Sequence, residues 1–310
     1  MNIKETMNLK LYILSIAVLL CTSCSKEVTQ QQESVPVNFA ARIEMPTKVG
    51  EYFEAGEKLG LFGYNYMQGG DISASTPDFM YNVPLVHNGD RSWDTEKTYF
   101  WSPNPERWKR FFAYYPYTEG GSSENITLSP ASVTGAPYID FTFTDGKTDF
   151  IVCEAVDGNK ETTSVQFTAK HALAKLTIGF ATDIEDGFAY AKAVKLNGVT
   201  KSARYSYGQG YTTFGLEKVA YDLAQPADEI VIDSNQATYI DEYTVYLLPN
   251  ALESIETVIN GVTKTLDLSQ VQLAPGKNTS LRIVINQKEV SFTATIGDWE
   301  TGGSASGTID

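Results

Sequence analysis

The chain has 310 residues, with 24 Lys and Arg against 38 Asp and Glu, which gives a formal net charge of −14 at pH 7. A protein this acidic is repelled by nucleic acid and by anionic lipid, so we expect no nucleic-acid partner. Its 18 Tyr, 15 Phe and 4 Trp, on a chain that often alternates polar with apolar residues, favour β-strands.

The first 23 residues predict a lipoprotein signal peptide. Residues 11–20 (LYILSIAVLL) are apolar and follow Lys4 and Lys10, but they are too few to span a bilayer as a permanent helix. Small residues then precede Cys24, as in a bacterial lipobox. We therefore expect Cys24 to become the diacylated N-terminal residue, with the polar residues 24–34 as a flexible tether to the fold.

The pair Cys21 and Cys24 also has the C-x-x-C spacing of a redox dithiol or of half a zinc site. A redox pair normally opens a helix in a folded domain, and a zinc site needs two more ligands. The lipobox explains the pair better. After processing, Cys153 is the one cysteine without a lipid, so the mature chain has no intramolecular disulfide.

Residues 35–43 (VPVNFAARI) predict the first strand, which Pro36 confines to a sheet edge or to the beginning of the strand. Its alternate side chains share one face: Val37, Phe39, Ala41 and Ile43.

Further strands are predicted along the whole chain, and turn signals at Asn197-Gly198, Asn260-Gly261 and Pro275-Gly276 separate several of them. They lie at residues 58–65, 81–88, 98–102, 107–118, 138–144, 149–155, 164–182, 190–199, 203–214, 229–233, 238–249, 255–260, 262–268, 279–286 and 289–296. A helix over AKHALAKL (residues 169–176) is the less favoured alternative. Short strands at this spacing indicate an all-β protein of sandwiches or barrels. The polar residues 156–163 suggest a boundary, with one β-sandwich at 35–160 and another at 161–310.

Nothing in the sequence forms an enzymatic site. His171 and His87 lack the nucleophile and orienting group of a catalytic triad, and the chain has no G-x-S-x-G or H-E-x-x-H motif. We expect a structural role for His171, an exposed position for His87 and a buried, inert thiol at Cys153. We predict no enzyme activity, no cofactor and no metal.

An aromatic concentration around Trp93, Trp101 and Trp108 has two interpretations. Flat rings stack on sugars in carbohydrate-binding modules, so these three side chains are candidates for a glycan platform. Large aromatic side chains also fill protein cores, since they bury the most area per residue. The core interpretation is favoured, because the strand around Trp108 mixes apolar and charged residues on both faces.

In order along the chain, several segments resemble the fimbrillin family of pilus subunits from Bacteroidales-type Gram-negative bacteria. These segments are VNFAARI (37–43), PTKVG (46–50), GEKLGLFGY (56–64), TYFWSP (98–103), FFAYYPY (111–117), DFIVCEA (149–155), VQFTAKHALAKLTI (165–178) and FTATIGDWETGGSASG (292–307). The resemblance implies two transthyretin-like antiparallel β-sandwich domains on a lipoprotein at the outer membrane. It also implies cell adhesion as the role and other fimbrial subunits as partners, joined by β-strand exchange.

The resemblance further implies that an outer-membrane protease cuts after Arg or Lys and removes the first strand from a hydrophobic groove. The candidate groove-filling residues are then Val37, Phe39, Ala41 and Ile43. Arg42 and Lys48 are the candidate cleavage positions. The tail around Trp299 is polar and Gly-rich, unlike a donor strand with bulky alternate residues. An accessory, tip or anchor subunit is therefore expected rather than a stalk subunit. A surface lipoprotein that binds carbohydrate is the alternative.

Overall fold

We describe a computed structural model of the chain at residues 34–43, 53–89, 92–185, 187–286 and 290–298. The predictions for the signal peptide, Cys24, Lys48 and the tail around Trp299 lie outside these residues. No helix within the described ranges is long and apolar enough to span a membrane.

The described chain is built almost entirely from strands, with single 3₁₀ turns at Glu119–Gly121 and Asp241–Tyr243. The strands are β1 (Phe39–Ile43), β2 (Lys58–Met67), β3 (Met80–His87), β4 (Trp93–Thr95), β5 (Arg107–Tyr115), β6 (Ile126–Leu128), β7 (Tyr138–Thr142), β8 (Ile151–Gly158), β9 (Val165–His171), β10 (Ala174–Thr182), β11 (Ala189–Thr200), β12 (Ser202–Ser206), β13 (Gly210–Phe214), β14 (Lys218–Asp222), β15 (Ile230–Ile232), β16 (Thr238–Tyr239), β17 (Val245–Leu247), β18 (Ser254–Ile259), β19 (Val262–Asp267), β20 (Lys277–Ile285) and β21 (Val290–Asp298). The all-β prediction is confirmed.

Seven strands of the first half close into a barrel in the order β1-β4-β3-β2-β5-β8-β9. Its interior is mainly apolar and includes Leu59 and Leu61 from β2, Phe111 from β5 and Phe167 from β9. Every neighbouring pair is antiparallel except β1 with β9, which run parallel. The opening strand is therefore an integral part of the barrel wall.

A second apolar layer covers the outside of β2, β5 and β8. A four-stranded sheet, β13-β12-β7-β6, packs Ile139 and Phe141 against Phe62 and Phe112 of the barrel wall. The stretch Phe111–Tyr114 of β5 is thus buried on both faces, which explains why all of it but Ala113 is aromatic. Strand β12 pairs with β7, so strands from both sides of the boundary predicted near residue 160 share one sheet.

The second half of the chain forms a sandwich of two sheets. One has the order β16-β10-β20-β21, with β17 also on β10, and the other has the order β14-β11-β18-β19, with β15 also on β11. Their inner faces enclose a core that contains Ile178, Leu196, Ile255 and Leu281. Strands β10 and β20 are parallel, so this half is also mixed rather than purely antiparallel. A transthyretin-like strand order stays a prediction.

Several predicted elements differ in detail from the observed ones. The strand expected at 98–102 is reduced to one bridge, Pro36 with Phe100. The run 164–182 is two strands, and 238–249 is interrupted by a 3₁₀ turn. Strands β4, β6 and β14 were not predicted, because three to five residues give too short a pattern to recognise.

Candidate functional site: the first strand and its groove

The opening segment is held by backbone hydrogen bonds to two parts of the barrel. The Val37 amide donates to the Tyr99 carbonyl at 2.8 Å, and the Trp101 amide donates to the Val35 carbonyl at 2.9 Å. From Phe39 onward the segment turns to β9, where Phe39 to Ile43 lie in parallel register with Val165 to Ala169. The chain therefore changes partner at Asn38.

Asn38 stabilises this change of partner. Its carbonyl accepts a hydrogen bond from the Val165 amide at 2.8 Å. Its side-chain amide donates to the Thr163 carbonyl at 3.3 Å. These two bonds fix the parallel register, which no short turn could set.

The inward side chains of this segment fill a groove in the barrel. Val37 and Phe39 are buried, and Ala41 is half-buried. The Phe39 ring meets Phe111 edge-on at a centroid distance of 5.5 Å and lies parallel to Phe167 at 6.4 Å. Removal of the segment would uncover Phe111 and Phe167 and leave the edge of β9 that faces β1 unpaired, while the other edge stays paired with β8. The backbone of Ile43 pairs with Ala169 as the last residue of β1.

Arg42 lies in this strand with its side chain exposed. Within the described ranges, β4 is in register with β1 only at Phe39, while β9 follows β1 through Ile43. The backbone around Arg42 thus has one ladder partner, and proteases bind substrates through an open strand edge of this kind.

The walls of the groove are not visible in the sequence pattern. Phe111 and Phe167 lie on strands that were predicted, and alternation places Phe111 with Ala113 on one face and Phe167 with Val165 on another. Their meeting around Phe39 depends on the closure of the barrel, which alternation does not encode.

The sequence model of the fimbrillin-like family matches residues 47–299. The chain belongs to the fimbrillin-like family. No curated protein sequence matches it.

Solved structures share the fold of this fimbrillin-like chain. A fimbrial protein from Bacteroides vulgatus has a TM-score of 0.65 and 19% identity, and the match covers 84% of this chain and 99% of that one. A candidate cell adhesion protein from Bacteroides uniformis has a TM-score of 0.58 and 19% identity, with 86% and 99% covered. One from Bacteroides ovatus has a TM-score of 0.58 and 17% identity, with 87% and 100% covered. At these identities the likeness concerns the fold.

The tryptophans proposed as a glycan platform lie in different surroundings in this fimbrillin-like protein. Trp93 is 3% exposed and packs on Phe53, at a centroid distance of 5.0 Å, and Trp101 is 4% exposed and meets Phe111 at 5.9 Å. Trp108 is half-buried. Stacking on a sugar needs an open ring face, and of the three only Trp108 is not buried.

The titratable residues singled out from the sequence have structural surroundings. His171 Nδ1 lies 2.7 Å from Asp149 Oδ2. His87 was expected to be exposed, but it is buried against Trp93 at a centroid distance of 4.8 Å, because β3 turns it into the barrel. Cys153 is buried as predicted, and burial raises the pKa of its thiol well above its usual value. In the described part of the chain, no three His, Cys, Asp or Glu side chains group as metal ligands would.

Proposed function

We propose that this protein is a fimbrial subunit or an accessory, tip or anchor component of a fimbria, and that it serves cell adhesion. Family membership supports the fimbrial role. One structural observation supports assembly by strand exchange: β1 occupies an apolar groove, yet among the described residues Arg42 has a ladder partner on β9 alone.

In this mechanism a protease cuts at Arg42 or Lys48, and the segment from Val35 leaves the groove. A strand from a neighbouring subunit then takes its place. The incoming strand satisfies the exposed N–H and C=O groups of β9, while its alternate side chains replace Val37 and Phe39. Before cleavage, a diacylated Cys24 would hold the protein at the outer membrane.

Limited proteolysis with trypsin tests the first step. We expect a cut at Arg42 or Lys48 that leaves a folded core starting at Ile43 or Val49, identified by mass spectrometry. The control variant Arg42→Gln with Lys48→Gln should resist this cut and keep the same circular dichroism spectrum. Random cleavage throughout the core, with no folded product, would contradict the proposal.

A peptide of residues 35–43 tests the second step. The trimmed core should bind this peptide, and a matched peptide with Phe39→Asp should not bind, since the charge would enter the space between Phe111 and Phe167. Equal binding of both peptides would mean that the groove does not select the strand.

The mature N-terminus in the cell distinguishes the possible roles. A diacylated Cys24 on protein from purified outer membranes would indicate an anchor or an uncut precursor. A start at Ile43 or Val49 would indicate a processed subunit. Absence of the protein from sheared fimbriae as well as from the outer membrane would contradict both roles.

A further inference from the structure

A lysine side chain is buried inside the barrel, next to a carboxamide. Lys109 is 4% exposed and lies on β5 directly across from Asn65 on β2. Its Nζ donates a hydrogen bond to Asn65 Oδ1 at 2.6 Å. Lysine is almost never this buried without a specific partner, and here that partner carries no charge.

Burial makes the uncharged amine of Lys109 more accessible than that of an exposed lysine. The Nζ also lies 3.5 Å from the centroid of the Phe79 ring, a cation–π contact that acts in the opposite direction and favours the charged form. Burial lowers the pKa of Lys109 to about 8, although the nearby Asp78 carboxylate acts in the opposite direction. A lysine that is neutral in an apolar site is a nucleophile, because its nitrogen lone pair is free.

Asp78 holds the carboxamide of Asn65 in one orientation. Asp78 Oδ1 accepts a hydrogen bond from the backbone amide of Asn65 at 2.9 Å, and Asp78 Oδ2 accepts one from the side-chain Nδ2 of Asn65 at 3.1 Å. The opposite amide orientation would place its NH₂ group against the Lys109 amine and its oxygen against the carboxylate. Asn65 therefore presents its carbonyl to Lys109 and its nitrogen to Asp78.

We propose that Lys109 and Asn65 form an intramolecular isopeptide bond, with Asp78 carrying the proton. The Nζ lone pair attacks Cγ of Asn65 and forms the new C–N bond. A proton from Nζ reaches Nδ2 through the Asp78 carboxylate, which already accepts a hydrogen bond from that nitrogen. The bond from Cγ to Nδ2 then breaks and its electron pair leaves with ammonia, so the reaction needs no oxidant and no second substrate.

This bond would tie two adjacent strands of the barrel wall together. Strands β2 and β5 are in antiparallel register from Gly60 with Tyr114 to Met67 with Arg107. A covalent link at Asn65 and Lys109 prevents these strands from separating under load. It would act whether or not β1 leaves its groove.

Mass spectrometry of the intact protein, after incubation at about pH 9 so that Lys109 is largely neutral, tests the proposal. We expect a mass lower than that of the sequence by one ammonia. A tryptic digest should contain one branched peptide that joins Asn65 to Lys109. A full mass would overturn the proposal.

Variants separate this bond from other losses of ammonia. Lys109→Arg keeps a cation and Asn65→Ala removes the acceptor, and each should restore the full mass. Asp78→Ala leaves both reacting groups in place and should lower the cross-linked fraction at least about 10-fold at equal times, a modest value for lost proton transfer. The control Lys58→Arg, on the exposed end of β2, should keep the mass deficit. A deficit that persists in Lys109→Arg would show a succinimide elsewhere and overturn the proposal.

Discussion

Strands β1 and β20 each pair in parallel with a strand that is distant in the sequence. They differ in the number of residues paired with neighbouring strands and in the number of buried side chains. Strand β20 is in register with β10 over eight residues on one edge and with β21 over nine on the other. Strand β1 is in register with β9 over five residues and with β4 at one. Four alternate side chains of β20 are buried, from Thr279 to Ile285, whereas the inward side of β1 depends mainly on Phe39.

This difference indicates which of the two strands costs less free energy to remove. The cost of removing a strand rises with the number of ladder bonds and with the apolar area that becomes exposed. Strand β20 lies in the middle of its sheet, so its loss would open both neighbours and the core of the sandwich. Strand β1 has one long ladder, to β9, and among its described side chains Phe39 is the one large anchor. Under the proposed strand exchange, β1 rather than β20 is therefore the strand that leaves its sheet.

The largest effect is expected for a charge in the middle of β20. Leu281 is fully buried, so Leu281→Asp would place an unpaired carboxylate in the sandwich core. We expect a loss of about 5 kcal/mol in the free energy of unfolding, near the upper end for one substitution. Urea unfolding followed by far-UV circular dichroism measures this loss. A value near that of an exposed substitution would mean that β20 is not central to the fold.

A smaller and more local effect is expected at the anchor of β1. Phe39→Ala removes the ring between Phe111 and Phe167 and should weaken docking of the strand by about 3 kcal/mol. Backbone amides of β9 should then exchange with solvent about 100-fold faster, while amides of β20 should not change. The conservative variant Phe39→Leu should show a smaller increase. Equal acceleration in both strands would mean that β1 and the sandwich open together.

The sequence predicts the elements of this comparison better than it predicts their partners. The alternation of Val37, Phe39 and Ala41 indicates a strand, and β1 lies within the predicted range. Nothing in that pattern points to β9, since parallel register is set by contacts far along the chain. The groove around Phe39 is therefore a property of the closed barrel, and alternation alone does not reveal it.

Two Asn-Gly pairs show that a local sequence pattern does not determine how the segment is used in the fold. Asn260 and Gly261 form the predicted tight turn of the β18–β19 hairpin, and both have positive φ, at 47° and 76°. The identical pair Asn197-Gly198 lies inside β11, where the register with β14 shifts between Leu196 and Val199. The prediction of a turn at Asn197-Gly198 was wrong, because this pair forms an irregularity within one strand. A bulge and a turn both use the positive φ of glycine, so the dipeptide alone does not distinguish them.

The smallest effect is expected at a polar atom in the core that β20 builds. Thr279 is fully buried, and its Oγ1 has no hydrogen-bond partner among the described residues. Thr279→Val replaces this hydroxyl with a methyl group of similar size and should raise the free energy of unfolding by about 1 kcal/mol, the cost of an unsatisfied buried donor. Thr279→Ser, which keeps the hydroxyl and loses the methyl group, should lower it instead. The urea midpoints of the native protein and the two variants give the order of their stabilities. If the valine variant were less stable than the native protein, the Thr279 hydroxyl would have a hydrogen-bond partner in solution. A polar contact, and not packing alone, would then stabilise β20 in its sheet.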